Sequence, residues 1–211
     1  MAFIYKMKQI YFTIAIAALL FSCGNHTTPP PAVPQNADTT VTDKPTTSYF
    51  PVTSFLKGQM IGVDSVAFTP ILYTTVNGKT DTTWLKREET KTFLQPFFSF
   101  NIDSTNLLSL FTETKFNDRT LNAITLTYDA TGKLPDTVQL RNWTVYIDPE
   151  SQKVRSLYIV KEYKENNQSY IQQLTWTTDR SAKITTILNQ PDGNTQLLKE
   201  QKIVWTDIDD E

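Results

Sequence analysis

The sequence predicts an α+β protein built on an antiparallel β-meander, either flat or curved into a half-barrel, with two or three short helices on one face. Five short runs of alternating apolar residues between residues 142 and 205 are typical of strands. The stretches between them are rich in Asp, Asn, Ser, Pro and Gly, which favour tight turns and therefore hairpins. Apolar residues at helical spacing occur in three short stretches nearer the N-terminus, where we expect the helices.

The first 22 residues have the pattern of a signal peptide. Lys6 and Lys8 precede a mostly apolar run of 12 residues, IYFTIAIAALLF, which is too short to span a bilayer as an ordinary helix. A basic segment followed by a short apolar core is typical of secretory signals. Met7 is an alternative start to Met1, because a signal that begins there has a more compact basic segment.

The end of this segment, Leu20-Phe21-Ser22-Cys23, resembles the lipobox of bacterial lipoproteins. The resemblance implies that Cys23 becomes the lipidated first residue of the mature protein, with acyl chains such as palmitate as its membrane anchor. Each buried methylene contributes about 0.8 kcal/mol, so several acyl chains hold the protein stably. Gly24 resembles the residue that follows the cysteine in lipoproteins sent to the outer membrane. An ordinary secretory signal with an incidental cysteine is the alternative.

Residues 23–47 form a segment rich in Thr, Pro, Ala, Asn and Asp that includes PPPAVP. It has almost no large apolar side chain, so we expect a flexible tether with semi-rigid polyproline stretches. An O-glycosylated stalk is a further interpretation of the same composition. The remaining residues, 48–211, have the size of one domain, and we expect a single β-rich globular domain there.

Two of the expected helices are bounded by proline and glycine. Pro51 suits the first turn of a helix, and apolar residues at helical spacing predict one over residues 51–61, with Gly62 as its stop. A second helix is predicted over residues 87–96 and ends at Pro96. Both helices are expected to lie on the sheet with their apolar sides.

A third short helix is predicted over residues 105–112, with Asp103 or Ser104 as its N-cap. Glu88 and Glu89, at the start of the preceding helix, invite an acid–base interpretation. Adjacent residues on a helix point about 100° apart, however, and do not converge on one substrate atom. We therefore interpret this pair as a solvated helix N-terminus.

The Asn77-Gly78 dipeptide predicts a tight hairpin between arms at residues 66–76 and 80–86. A type I′ turn needs positive φ at both central residues, and this dipeptide provides it at low cost. Pro70 cannot donate a ladder hydrogen bond, so it favours an edge position or a bulge in the first arm.

The closing strands are partly apolar on both faces. The strand near residues 153–163 has one face with Leu157, Ile159 and Tyr163 and another with Val154, Tyr158 and Val160. Either the sheet curls, or its second face receives a ligand or partner, and the residues predicted to line such a binding surface or cavity are Leu157, Ile159, Leu174 and Trp176. Aromatic residues of these strands are interpreted mainly as cross-strand pairs: Tyr146, Tyr158, Tyr170, Trp176 and Trp205.

Composition argues against several classes of function. The chain has 20 Lys and Arg against 22 Asp and Glu, so it lacks the basic excess of a nucleic-acid-binding domain. Cys23 and His26 are the single cysteine and the single histidine, too few for a Cys/His metal site. No phosphate loop, nucleophile elbow or calcium loop occurs. We therefore predict neither enzyme activity nor a metal or cofactor.

Taken as a whole, the chain resembles the uncharacterised membrane-anchored lipoproteins of Bacteroidota: a signal ending in SCG, a Thr/Pro tether, an opening helix near YFPVTSFLKGQ and a meander ending in KIVWTD. The resemblance implies a lipid-anchored protein of the cell envelope that acts as a binding module for an envelope protein or an apolar ligand. The alternative is a structural component of an envelope complex. A weaker likeness in fold is to lipid carriers that hold acyl chains between a curved sheet and helices.

Mass spectrometry of the membrane-extracted protein tests the anchor. We expect the mature chain to begin at Cys23, to carry acyl chains on that residue and to lack residues 1–22. An unmodified cysteine or a retained signal segment contradicts the lipoprotein expectation. The variant Cys23→Ser, which cannot be acylated, should leave the membrane fraction.

Overall fold

A computed structural model describes residues 49–206, except residues 66, 68 and 104. The described residues all belong to one compact unit. The predictions for the signal peptide, Cys23 and the tether fall on residues 1–48, which lie outside the described residues.

The domain is a single open antiparallel sheet of nine strands with short helices, so the prediction of an α+β meander is confirmed in outline. The strands are β1 (Ile71–Val76), β2 (Lys79–Trp84), β3 (Phe111–Asp118), β4 (Ala123–Ala130), β5 (Leu140–Ile147), β6 (Val154–Glu165), β7 (Gln168–Thr177), β8 (Ser181–Asn189) and β9 (Thr195–Val204). The helices are α1 (Val52–Ser65), α2 (Arg87–Leu94), a 3₁₀ helix (Gln95–Phe98) and α3 (Thr105–Leu108).

The strand order explains why the helices lie where they do. Strands β3 to β9 are neighbours in sequence order, and the β1–β2 hairpin joins the sheet on the outer side of β9. Consequently β2 and β3 are at opposite edges. Strands lie about 4.8 Å apart, so residues 85–110 must cross a sheet roughly 38 Å wide. The 3₁₀ helix and the helices α2 and α3 lie in this crossing segment.

The predicted hairpin is confirmed. Asn77 and Gly78 have φ angles of 50° and 74°, and Val76 pairs with Lys79 across the turn. The edge position suggested by Pro70 is wrong, because β1 pairs with β2 on one side and β9 on the other. Pro70 precedes the strand, and its carbonyl accepts the Leu85 N–H at 2.8 Å.

Helix boundaries differ from the predictions at three places. The helix α1 continues through Gly62 to Ser65, and α2 ends at Leu94 before the 3₁₀ helix that contains Pro96. The predicted helix over 105–112 stops at Leu108, because Phe111 pairs with Ala130 and begins β3. Strand pairing within the sheet overrides the local helix propensity of a short apolar stripe.

Asp103 caps a helix other than the expected one. Its carboxylate accepts the backbone N–H groups of Thr53 and Ser54 at 3.1 and 3.0 Å, and the Ser54 hydroxyl at 2.8 Å. It therefore satisfies donors at the start of α1 from 50 residues away along the chain. The Thr53 hydroxyl in turn accepts the Ile102 N–H at 3.0 Å, so the crossing segment and α1 hold each other in place.

One face of the sheet, which we call the covered face, forms the core with the helices. Its central row runs across five strands through Tyr128, Trp143, Ile159, Leu174 and Ile184. Tyr128 and Trp143 stack with ring centroids 4.6 Å apart, a geometry that adds about 0.5–1.5 kcal/mol beyond burial. The helical segments contribute buried apolar residues to the same cluster: Val52, Leu56, Val63, Leu94 and Phe97.

A bulge moves Val154 to the covered face, against the prediction. Tyr146 pairs with Ser156 and Ile147 pairs with Val154, so one step along β5 corresponds to two steps along β6. The extra residue, Arg155, reverses the alternation. Val154 therefore packs against the core together with Ile147.

Replacement of Trp143 by Ala should lower the free energy of unfolding by about 3–5 kcal/mol, because the ring is fully buried against Tyr128 and Phe111. Trp84→Ala is the matched control: this ring is 60% exposed on the edge strand β2, and the expected cost is about 1 kcal/mol or less. Urea unfolding measures both values. Similar costs for the two variants would contradict the assignment of the covered face.

Candidate functional site

The four residues expected to line a binding surface are core residues. Leu157, Ile159, Leu174 and Trp176 are 1% exposed or less and lie on the covered face. The Trp176 ring packs against Phe97 with the centroids 5.4 Å apart, and its indole N–H donates to Gln59 Oε1 at 3.3 Å. These side chains fill the space between sheet and helices, so they do not form a surface that a partner can reach.

The opposite side of the sheet, which we call the open face, carries a second group of apolar side chains. They are half-buried or exposed, and they do not pack against the core cluster: Phe116, Tyr146, Tyr158, Val160, Ile171 and Ile187. Strand register places all of them on one side, because antiparallel partners share a face and residues alternate along each strand. The described helices contribute their buried residues to the covered face.

The part of the open face near β4 to β6 combines tyrosine with buried threonine. Thr125 lies between Phe116 and Tyr146 in the strand register and is only 2% exposed, although it lies on the open face. Its hydroxyl oxygen is buried and has no partner among the described residues. Burial, with a smaller contribution from the neighbouring Tyr146, raises the pKa of Tyr158. Tyr158 is therefore a neutral hydrogen-bonding group at physiological pH.

Ion pairs lie on this face close to the apolar side chains. The Arg141 Nε is 3.0 Å from Glu162 Oε2, and this bond is the main reason that the pKa of Glu162 is lowered. The Lys183 Nζ lies 3.5 Å from Glu200 Oε2 on strands β8 and β9.

Lys161 is an unusual residue of the covered face. It follows Leu157 and Ile159 on the same face of β6 and is only 8% exposed. Its ammonium lies 5.6 Å from the Phe100 ring centroid and 5.7 Å from that of Tyr163. Among the described residues no carboxylate pairs with it. Burial lowers the pKa of Lys161 because removal from water penalises the charged form.

Two shallow grooves come together near this lysine. One has a volume of about 370 Å³ and is lined in part by Phe100 and Val138; the other has a volume of about 460 Å³ and is lined in part by Tyr163 and Arg141. Gln139 lines both grooves. The two rings that contact Lys161 thus each belong to one groove. The sequence signal for this site was a lysine in an otherwise apolar alternation, which our sequence interpretation did not use.

Of the two adjacent glutamates at the start of α2, Glu88 and Glu89, the second has a structural role. Glu89 Oε2 accepts the backbone N–H of Lys86 at 2.7 Å, which caps α2. Within residues 49–206, apart from 66, 68 and 104, no cluster of three or more His, Cys, Asp or Glu side chains has the geometry to hold a metal ion.

The pH dependence of the stability of the variant Lys161→Met tests the burial of the unpaired lysine. The folded-state pKa is lowered, so between that value and the unfolded value of about 10.4 the unfolded state binds more protons, and wild-type stability rises with pH. The variant lacks this contribution. We therefore expect the stability of Lys161→Met relative to wild type to fall as pH rises towards about 10, as measured by urea unfolding at several pH values. A constant difference across that range would contradict the burial assigned to the amine.

Comparison with models of known protein families, with curated proteins and with solved structures finds no match. The part of the chain that the structure describes contains no helix long and apolar enough to cross a membrane. Function must therefore be argued from the open face, from the surroundings of Lys161 and from the amino-terminal sequence.

Proposed function

We propose that this protein is a lipid-anchored binding module of the cell envelope, held at the membrane through Cys23 and without catalytic activity, that docks a protein partner on its open face. The observation that carries the proposal is the distribution of apolar side chains. The helices bury one face of the sheet, yet the other face also presents aromatic and aliphatic residues over several adjacent strands. The other residues of this face are mostly threonine, serine and charged residues, as expected of a solvated sheet face, so the tyrosine and aliphatic side chains form an apolar patch within a polar surface.

The chemistry of the open face favours a protein over an acyl chain. Tyr146 and Tyr158 offer large apolar rings with hydroxyl groups, the type of side chain that dominates binding energy at protein interfaces. An acyl chain gains only from buried apolar area and makes no use of such hydroxyls. The residues first expected to line a lipid cavity, Leu157 and Leu174 among them, fill the core instead.

The proposal includes a sheet curved as a half-barrel around its helices, with the open face on the outside. Bulges are one way in which sheets acquire curvature, and register shifts occur between β5 and β6 and between β8 and β9. Twist also accumulates across a nine-stranded sheet, which favours curling over a flat arrangement. A curved outer face is a convex platform for a partner rather than a cavity for a small molecule.

A permanent structural role in an envelope complex is the alternative, and it uses the same face. The two functions differ in whether the protein exchanges its partner. A binding module should be found both free and bound in one membrane preparation. A structural component should be recovered only in the complex, with a constant ratio to its partner.

Site-specific photocrosslinking in cells tests the docking face. We expect p-benzoylphenylalanine in place of Tyr146 or Tyr158 to give the same crosslinked product with one envelope protein. The control position is Ile61, which is 72% exposed on helix α1, on the helical side of the sheet, and should give no such product. Tyr158→Ala should reduce crosslinking from position 146 without changing the thermal midpoint by more than a few degrees. Equal products from position 61, or none from either tyrosine position, would contradict docking on the open face.

A further inference from the structure

The edge strand β3 is long and regular. Its eight residues pair with β4 without any register shift, and it contains neither proline nor glycine. Such an edge can accept another strand, because nothing in its backbone interrupts a second hydrogen-bonding ladder. Most of its residues are exposed.

Two contacts identify which backbone groups of β3 point outward. The Thr131 N–H donates to Leu110 O at 2.9 Å, in the register that continues into the β3–β4 ladder. Hydrogen-bonded pairs alternate in an antiparallel ladder. The backbone N–H and C=O groups of the even-numbered residues of β3 therefore point towards β4, and those of the odd-numbered residues point away from the sheet edge. The Tyr49 hydroxyl independently supports this alternation, because it donates to the outward-facing carbonyl of Phe111 at 2.7 Å. Outward groups are therefore free at Glu113, Lys115 and Asn117 among the described residues.

The side chains of β3 are complementary in charge to those of a second, antiparallel copy of β3. Glu113 and Lys115 have opposite charges, lie on the same face and flank Thr114. Glu113 pairs with Tyr128 and Lys115 pairs with Leu126 in the strand register, so both charged side chains lie on the covered face. An edge that only needs to prevent pairing would carry like charges, since these repel a second copy in every register.

We propose that a second copy of this chain pairs with β3 in antiparallel fashion about a two-fold axis at Thr114. Glu113 of each copy then lies opposite Lys115 of the other, and both residues have outward backbone groups, so the two pairs form four hydrogen bonds as well as two ion pairs. Shifting the axis to residue 113 places Glu113 opposite itself. Shifting it to residue 115 places Lys115 opposite itself. The register at Thr114 alone satisfies both the backbone and the charges among these three.

The other edge does not have this property. The Leu85 N–H donates to the carbonyl of Pro70. By the same alternation, the backbone groups of Thr80, Thr82 and Trp84 in β2 point outward from the edge. A two-fold axis at Asp81 places Asp81 opposite itself, and an axis at Thr82 makes no opposite-charge pair. An axis at Thr80 pairs Lys79 with Asp81 but reaches the Asn77-Gly78 turn within two residues.

Pairing through β3 would make one continuous sheet from the two copies. The two-fold axis is perpendicular to the sheet, so both open faces point to the same side and both helical layers to the other. This dimer does not rest on the proposed docking function, because it uses the edge and leaves both faces free.

Disulfide trapping in the full chain tests the register. In a Cys23→Ser background the introduced thiol is the only one in the protein. Thr114→Cys should form a crosslinked dimer with copper phenanthroline and oxygen as the oxidant, because residue 114 lies opposite itself. Thr112→Cys is the matched control: its two copies would be offset by four residues, roughly 13 Å along the strands, and should not crosslink. Equal crosslinking of the two variants, or none at Thr114→Cys, overturns the register.

Charge exchange tests the pairing energy by analytical ultracentrifugation of the detergent-purified protein. Lys115→Glu replaces two attractive pairs by two repulsive ones and should weaken dimerisation roughly tenfold or more. Glu113→Lys should do the same, and a mixture of the two variants should form a heterodimer, because each then supplies the charge the other lacks. Thermal unfolding of each variant verifies its fold. If the wild-type protein stays monomeric at 100 times the concentration used in the ultracentrifugation of the variants, the proposal is overturned. It is also overturned if the mixture of Lys115→Glu and Glu113→Lys does not associate.

Discussion

Pairing between β1 and β9 is the constraint on which the rest of the structure depends. It joins the amino-terminal hairpin of the domain to its last strand, and in doing so it leaves β2 and β3 at opposite edges of the sheet. The chain between these strands must cross the full width, and it does so as short helices that bury Leu94 and Phe97. The asymmetry of the sheet, with one covered face and one open face, follows from this single connection.

The two faces have different chemistry because they satisfy different requirements. The covered face is packed with stacked aromatic rings and branched aliphatic residues, and Lys161 lies where this packing meets the two grooves. The open face mixes tyrosine, threonine and aliphatic residues with ion pairs. A partly apolar open face costs solubility unless something contacts it, which is the physical basis of the docking function proposed above.

Long-range polar contacts hold α1 in position on the sheet. Asp103 caps α1 from the crossing segment, Gln59 of α1 accepts both the Trp176 indole N–H and the Asp179 backbone N–H, and the Tyr128 hydroxyl accepts the Phe50 N–H. These bonds satisfy polar groups at the first turn of α1, at the turn before β8 and at the margin of the core. Such contacts explain how short helices with little intrinsic stability hold a defined position.

The sequence by itself determined the local elements whose causes are local. The Asn77-Gly78 turn, the alternation of the closing strands and the first helix follow from residue types a few positions apart, and the structure has them. Only the tertiary structure decided which face each side chain occupies: the bulge at Arg155 moves Val154 to the core, and Leu157, Ile159, Leu174 and Trp176 are core because the crossing segment covers their side of the sheet. Alternation shows that two faces differ but not which one the helices cover, since that choice depends on β1 pairing with β9 more than 120 residues away. The same long-range pairing left β3 at an edge and placed Glu113 and Lys115 where a second copy can meet them.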